Sequence, residues 1–219
     1  MITMNAPMIK SASLVAFPVF SPKANHWISV ILILCLICFG CSDDAEVDTA
    51  TVEKRQEDGW IAYDKGDFSA ALLHFERVIE LDTTFADAHN GLGWTLLSTT
   101  HAPATAPEVL AKAQKAFETA IRSDASSADA WIGLANTLFL RRESSSDFQI
   151  ALRAIDNALQ GDHRTLFRHD YQSIADLYAL RAACYYYLGQ VNLAKSAIET
   201  ALQTEPSNLA ALSLQNLLR

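Results

Sequence analysis

Apolar and polar positions change their pattern twice along the chain. From Trp27 to Phe39 the sequence runs WISVILILCLICF, uncharged and almost wholly apolar, with Lys23 before it and Gly40, Cys41, Ser42, Asp43 and Asp44 after it. As a helix these thirteen residues would rise about 20 Å, short of the ~30 Å hydrocarbon core of a bilayer. A short apolar run behind a basic flank predicts a signal peptide over residues 1–40 rather than a spanning helix. From Ser42 to Glu57 the chain turns acidic, with Asp43, Asp44, Glu46, Asp48, Glu53 and Glu57 and few large apolar groups. That composition predicts a solvated tether over residues 41–57, running into the first helix of the body.

Beyond residue 51 the apolar positions follow a helical period, and the pattern itself recurs. Residues 175–208 show it most fully, with Tyr178, Ala182, Tyr185, Gly189, Ala194, Ala201 and Pro206 at the fourth, eighth, eleventh, fifteenth, twentieth, twenty-seventh and thirty-second places. Over residues 52–85 the same places hold Gly59, Gly66-Asp67-Phe68, Ala71, Phe75, Val78 and Ile79, while Arg55 departs at the fourth. Over residues 86–125 they hold Leu92-Gly93, Leu96, Ala113, Phe117, Ala120 and Ile121, with extra residues around His101 to Pro107. Over residues 126–160 they hold Trp131, Leu134-Ala135, Leu138, Ala151, Ile155, Ala158 and Leu159, with extra residues near Glu143 to Ser146. A polar connector over residues 161–174 leads into the last unit, and residues 209–219 carry leucines that predict a capping helix.

This grid resembles the tetratricopeptide repeat. The resemblance implies an all-α fold: a right-handed superhelical solenoid of about four helix-turn-helix repeats with a concave face. Small side chains at the eighth and twentieth places let the two helices of a repeat approach closely. Larger groups at the fourth, eleventh and twenty-fourth fill the space around them. Gly189 suits the left-handed conformation that ends a helix, and Pro206 stops the next one.

In this family the groove is lined by the first helix of each repeat. Carried over by position, it would be lined by Gln56, Trp60, Tyr63, Asp64, Asp87, Asn90, Trp94, Leu97, Asp129, Asn136, Phe139, Leu140, Asp176, Ala183, Tyr186 and Tyr187. Trp60, Tyr63, Asn90, Trp94, Asn136, Phe139, Tyr186 and Tyr187 are the candidate partner-binding residues, and Trp60, Trp94 and Tyr186 are expected to stand partly exposed. The family's carboxylate clamp is not implied, because Gln56 and Trp60 stand where Lys and Asn would be needed.

The Gly40-Cys41 junction resembles a bacterial lipobox, with Cys38 standing where Leu is usual. It implies a Cys41 that is diacylated and becomes the mature N-terminus. The expected location is then a membrane of the cell envelope, facing the periplasm. Ser42 favours the outer membrane, and an uncleaved signal anchor in the inner membrane is the alternative.

Charge and cysteines narrow the partners. The chain carries −8 overall, and after residue 40 it holds fifteen basic against twenty-five acidic side chains. Such a body repels phosphate backbones, which excludes nucleic acid, and it requires any membrane attachment to be covalent or hydrophobic. Cys184 lies apart from the other three cysteines, on a packed first helix, so a small buried residue is expected there rather than a disulfide or metal ligand. The sequence has no Gly-x-Ser-x-Gly, no HExxH and no phosphate loop, and no cofactor is expected.

The leading expectation is a non-catalytic scaffold that binds another protein or peptide. An accessory subunit of an envelope secretion or assembly machine is one alternative. From another class comes an enzyme built on His163, Arg164, Arg168, His169 and Asp170, in a segment that otherwise reads as a solvated connector.

Overall fold

Four helices in this chain start where a short polar side chain takes a backbone amide that the first turn leaves unpaired. Asp67 accepts from Ala70 N (3.1 Å), Ser127 from Ala130 N (3.2 Å) and Asn208 from Ala211 N (3.0 Å), while Ser173 and Asp176 form a capping box. The structure, a computed structural model, describes residues 49–99 and 106–219. The predicted signal peptide, Cys41, the acidic stretch up to residue 48 and residues 100–105 of the second-repeat insertion lie outside the described residues.

Nine helices and no strand occur among the described residues: α1 (Thr49–Asp64), α2 (Phe68–Leu81), α3 (Ala86–Ser98), α4 (Ala106–Ser123), α5 (Ala128–Arg141), α6 (Ser145–Gln160), α7 (Ile174–Tyr187), α8 (Val191–Thr204) and α9 (Leu209–Leu217). The helix α1 takes in residues that their acidity assigned to a tether. Val52 and Gln56 are buried there, so one face of this stretch packs while its acids point outward.

Each helix packs on the next in sequence, and the first helices α1, α3, α5 and α7 also touch one another in series. The second helices α2, α4, α6 and α8 make no such contacts among themselves. First helices therefore form the inner, concave layer of the solenoid and second helices the outer one. The short α9 closes the far end against α7 and α8.

Rings from the second helices set the spacing of the inner layer. Phe75 of α2 and Phe117 of α4 are fully buried, each wedged between two first helices. A Cβ at Gly59 or Gly91 would lie 2.7 or 2.4 Å from Phe75, and one at Gly93 or Gly133 would lie 2.7 or 2.2 Å from Phe117. Glycine is required at these four places by space alone. The twentieth-place alanines Ala71, Ala113, Ala151 and Ala194 are all 0 % exposed, as close helix pairing demands.

Two inter-helix turns use glycine at positive φ, Gly66 (73°) and Gly189 (71°). The third repeat turns instead at Arg142 (φ 36°), followed by an extra loop. Buried Asp147 holds that loop, accepting from Arg141 Nη2 (2.5 Å) and Glu143 N (2.9 Å).

Candidate functional site

The concave face carries a ladder that the repeat itself generates. Asp87, Asp129 and Asp176 occupy the second place of successive repeats, and an amide at the fifth place of the preceding repeat reaches the first two. Gln56 Nε2 donates to Asp87 Oδ2 (2.7 Å), as does Trp60 Nε1 (2.9 Å), and Asn90 Nδ2 donates to Asp129 Oδ2 (2.7 Å). At the third step the fifth place is Ile132, and the ladder changes partner. Asp176 there accepts from Asn208 Nδ2 (2.6 Å) and from the backbone of Ser173 (3.2 Å) at the start of its own helix.

The connector between α6 and α7 lies across this ladder. It leaves α6 by a lone parallel bridge in which Asp162 N donates to Ser126 O (2.6 Å). Leu166 then buries completely. Arg168 lays its guanidinium 3.6 Å from the centre of the Trp60 ring and donates to Asp87 from Nη2 (2.5 Å) and Nη1 (3.1 Å) and to Asp129 from Nη2 (3.2 Å). His169 follows, its side chain 2 % exposed. Its ring stacks on Trp60 (5.1 Å, 10°) and meets Tyr63 and Trp94 edge-on. The imidazole spans two carboxylates, with Nε2 3.1 Å from Asp129 and Nδ1 2.9 Å from Asp170. Tyr63 closes the circuit by donating its hydroxyl to Asp170 (2.6 Å). Tyr171 packs against Trp94, and its hydroxyl contacts the Asn136 amide.

The electrostatics follow from this enclosure. Burial by itself pulls the His169 pKa down, but hydrogen bonds to Asp129 and Asp170 outweigh it and raise the value to about 9. His169 is therefore a cation at neutral pH. Burial pushes Asp87 up, and the Arg168 hydrogen bonds and charge, with those of Trp60 and Gln56, bring it below the usual carboxylate range. Asp170 is held low chiefly by His169, and the Tyr63 hydroxyl adds to that effect. Burial and donation to Asp170 push the Tyr63 phenol well above its ordinary value.

The other end of the concave face is open. Phe139, Phe148, Tyr186 and Tyr187 form a cluster in which Tyr187 stacks on Phe148 (5.2 Å, 2°) and meets Phe139 and Tyr186 edge-on. Tyr187 is 50 % and Leu140 44 % exposed. Arg142 lies 6.0 Å from the centre of the Tyr187 ring.

Models of the tetratricopeptide repeat match residues 58–105, 110–161 and 175–208. The chain belongs to the tetratricopeptide-repeat family. Solved structures of this fold superpose on most of the repeat array. MamA is 22 % identical, with a TM-score of 0.57, over 73 % of this chain and 81 % of that one. The thermophilic TPR protein TTC0263 of Thermus thermophilus is 19 % identical (TM-score 0.58; 76 % and 82 % covered). The PilF protein of Pseudomonas aeruginosa is 17 % identical (TM-score 0.59; 78 % and 68 % covered). A Thermobaculum terrenum O-GlcNAc transferase mutant also matches at 17 % identity, with only 26 % of its own length covered. No curated protein sequence matches the chain. TPR arrays of this kind are in general protein-interaction scaffolds.

In TPR terms the candidate groove residues fall into two sets. Trp60, Tyr63, Asn90 and Trp94 lie together under the connector and are buried, where partial exposure was expected of the two tryptophans. The reason is non-local: residues more than seventy positions from Trp94 cover its ring, and they are ring-bearing themselves. Asn136 borders the same set through Tyr171. Phe139, Tyr186 and Tyr187 form the open set, and their ring contacts are with one another and with Phe148. The connector itself is not the solvated segment its polarity suggested. Arg168 and His169 are paired with groove carboxylates, which makes them compatible with burial, while Arg164 stays exposed and pairs with Asp162. His163 stays apart, with Nε2 2.8 Å from Ala158 O. Cys184 is buried in α7, and burial pushes its thiol up to about 12, so it is an inert packing group. Asp170 and Tyr171 as groove contacts were missed; the available signal was a cationic pair, Arg168-His169, opposite a repeated second-place Asp.

Proposed function

We propose that this TPR protein is a non-catalytic interaction scaffold of the cell envelope, anchored by lipid on Cys41 and facing the periplasm from the outer membrane. The observation that carries the scaffold reading is the open aromatic end of the concave face, with Phe139, Tyr186 and half-exposed Tyr187 beside Leu140. Clustered aromatic side chains offer large contact area with few rotatable bonds, which suits a protein or peptide partner. The anchor rests on the Gly40-Cys41 junction behind the Trp27–Phe39 apolar run. Among the described residues no helix is long and apolar enough to cross a membrane.

Against an enzyme at the connector stands the state of His169. A general base works best with a pKa near the operating pH and with room for substrate beside it. His169 is held charged up to about pH 9, and Trp60, Tyr63 and Trp94 fill the space around its ring.

Affinity capture with the full chain, followed by mass spectrometry, tests the scaffold. A partner retained by the wild-type chain is expected to be lost from the Phe139→Ala/Tyr187→Ala chain, and an unchanged partner list refutes the open-end assignment. Radiolabelled palmitate tests the anchor. It should enter the wild-type protein and not Cys41→Ser, and labelling that survives the substitution removes the lipid anchor.

A further inference from the structure

We infer that the covered half of the groove is a docking site for an extended peptide that presents an arginine followed by a ring, and that the chain's own Arg168–Tyr171 segment is a built-in competitor for it. The inference deepens the scaffold reading and rests on it: it names the chemistry of one partner and the element that regulates access.

The site is assembled by the repeats without help from the connector. Asp87 is oriented by Gln56 and Trp60, and Asp129 by Asn90, all from α1 and α3. Two carboxylates held at fixed positions beside an indole face match a planar guanidinium, which can fork to oxygen and stack at once. Lysine's point charge satisfies only one of those demands. The next pocket along, walled by Trp60, Tyr63 and Trp94, takes a flat ring.

The occupant is held as a ligand is held. Among the described residues, no backbone hydrogen bond ties residues 169–171 to the repeats, and Arg168 N bonds only within the connector, to Thr165 O (3.3 Å). Side chains alone fasten Arg168 to Tyr171, whereas Asp162, Leu166 and the α7 capping box anchor the segment on either side. The connector brings two cations and one carboxylate to two groove carboxylates. A peptide with the same sequence of charge and rings could replace it atom for atom, while the flanking anchors kept the connector attached.

The test uses the full chain and a fluorescently labelled synthetic peptide of the sequence of residues 164–172 (RTLFRHDYQ). In Arg168→Ala/His169→Ala protein the groove is vacated, and polarisation should report peptide binding at least tenfold tighter than to wild type. Adding Asp87→Asn should abolish the gain, as should replacing the second arginine of the peptide by alanine. Circular dichroism checks that the variant is folded. If the double variant does not fold, Arg168→Ala alone takes its place, since it leaves the imidazole stack intact. A folded variant that ignores the peptide overturns the inference. So does failure of both variants to fold, because the connector is then core rather than competitor. Partner capture through Tyr187 is read independently. Its loss with peptide binding intact strikes the open-end reading alone, and the reverse outcome strikes only this inference.

Discussion

The two ends of the concave face are both built from aromatic side chains on first helices and reach opposite states. At one end Trp60 and Trp94 hold the ninth place of their repeats and Tyr63 the twelfth; at the other Phe139 and Tyr186 hold the twelfth and Tyr187 the thirteenth. The first three are 4–8 % exposed, whereas Tyr187 is 50 % exposed. Repeat register therefore decides which way a side chain points, and a segment distant in sequence decides whether that direction is interior or surface. The ladder of second-place carboxylates draws the line. Asp87 and Asp129 are free of their own helix caps and attract Arg168 and His169, while Asp176 is spent on the capping box and on Asn208.

The largest effect should come from removing a ring at the covered end. Trp94 is enclosed by Phe117, His169 and Tyr171, so Trp94→Ala should cost about 3–5 kcal/mol in urea unfolding. A loss below about 1 kcal/mol would place Trp94 at the surface in solution and erase the distinction between the ends.

Next in size is a pH effect confined to the covered end. The folded pKa of His169 is raised, so its stabilisation is complete below its unfolded value near 6.5 and is lost as pH rises through about 9. That displacement corresponds to roughly 3 kcal/mol at most. Urea midpoints measured between pH 6 and 10 should fall along this limb in the wild-type chain, and His169→Gln should flatten it. An identical limb in both proteins would assign the dependence to other groups.

Arg168→Lys should cost about 1–2 kcal/mol, because the charge remains while the fork to Asp87 and the stack on Trp60 are lost. At the open end, Tyr187→Ala should cost about 1 kcal/mol or less in thermal or urea melts, yet weaken partner capture by more than tenfold. A stability loss as large as that of Trp94→Ala would mean that both ends are core.

Much of the fold could be read from the sequence because repeat signals are local. The alanines at 71, 113, 151 and 194 and the glycines at 66 and 189 announce close pairing and left-handed turns, and the helices occur where those residues require them. The third-repeat turn was harder to read, since Arg142 takes a left-handed conformation that its side chain does not advertise and Asp147 supplies the support from the next element. Gly91 and Gly133 carry a spacing role that no single repeat reveals, since each meets a ring from the preceding repeat. The candidate site was half legible. The positions of Trp60, Trp94 and Tyr187 on the concave side follow from the resemblance to the repeat family, but the docking of residues 168–171 depends on charge and ring complementarity across 35 to 107 residues, which no repeat pattern encodes.

The central claim is that the connector occupies one half of the groove, and a double-mutant cycle between Asp87→Ala and Arg168→Ala tests it most directly. Partners in one charge-paired network should couple by roughly 1–3 kcal/mol in unfolding free energy, and the account predicts a value in that range. Strict additivity of the two substitutions would show that Arg168 does not reach Asp87 in solution and would contradict the account.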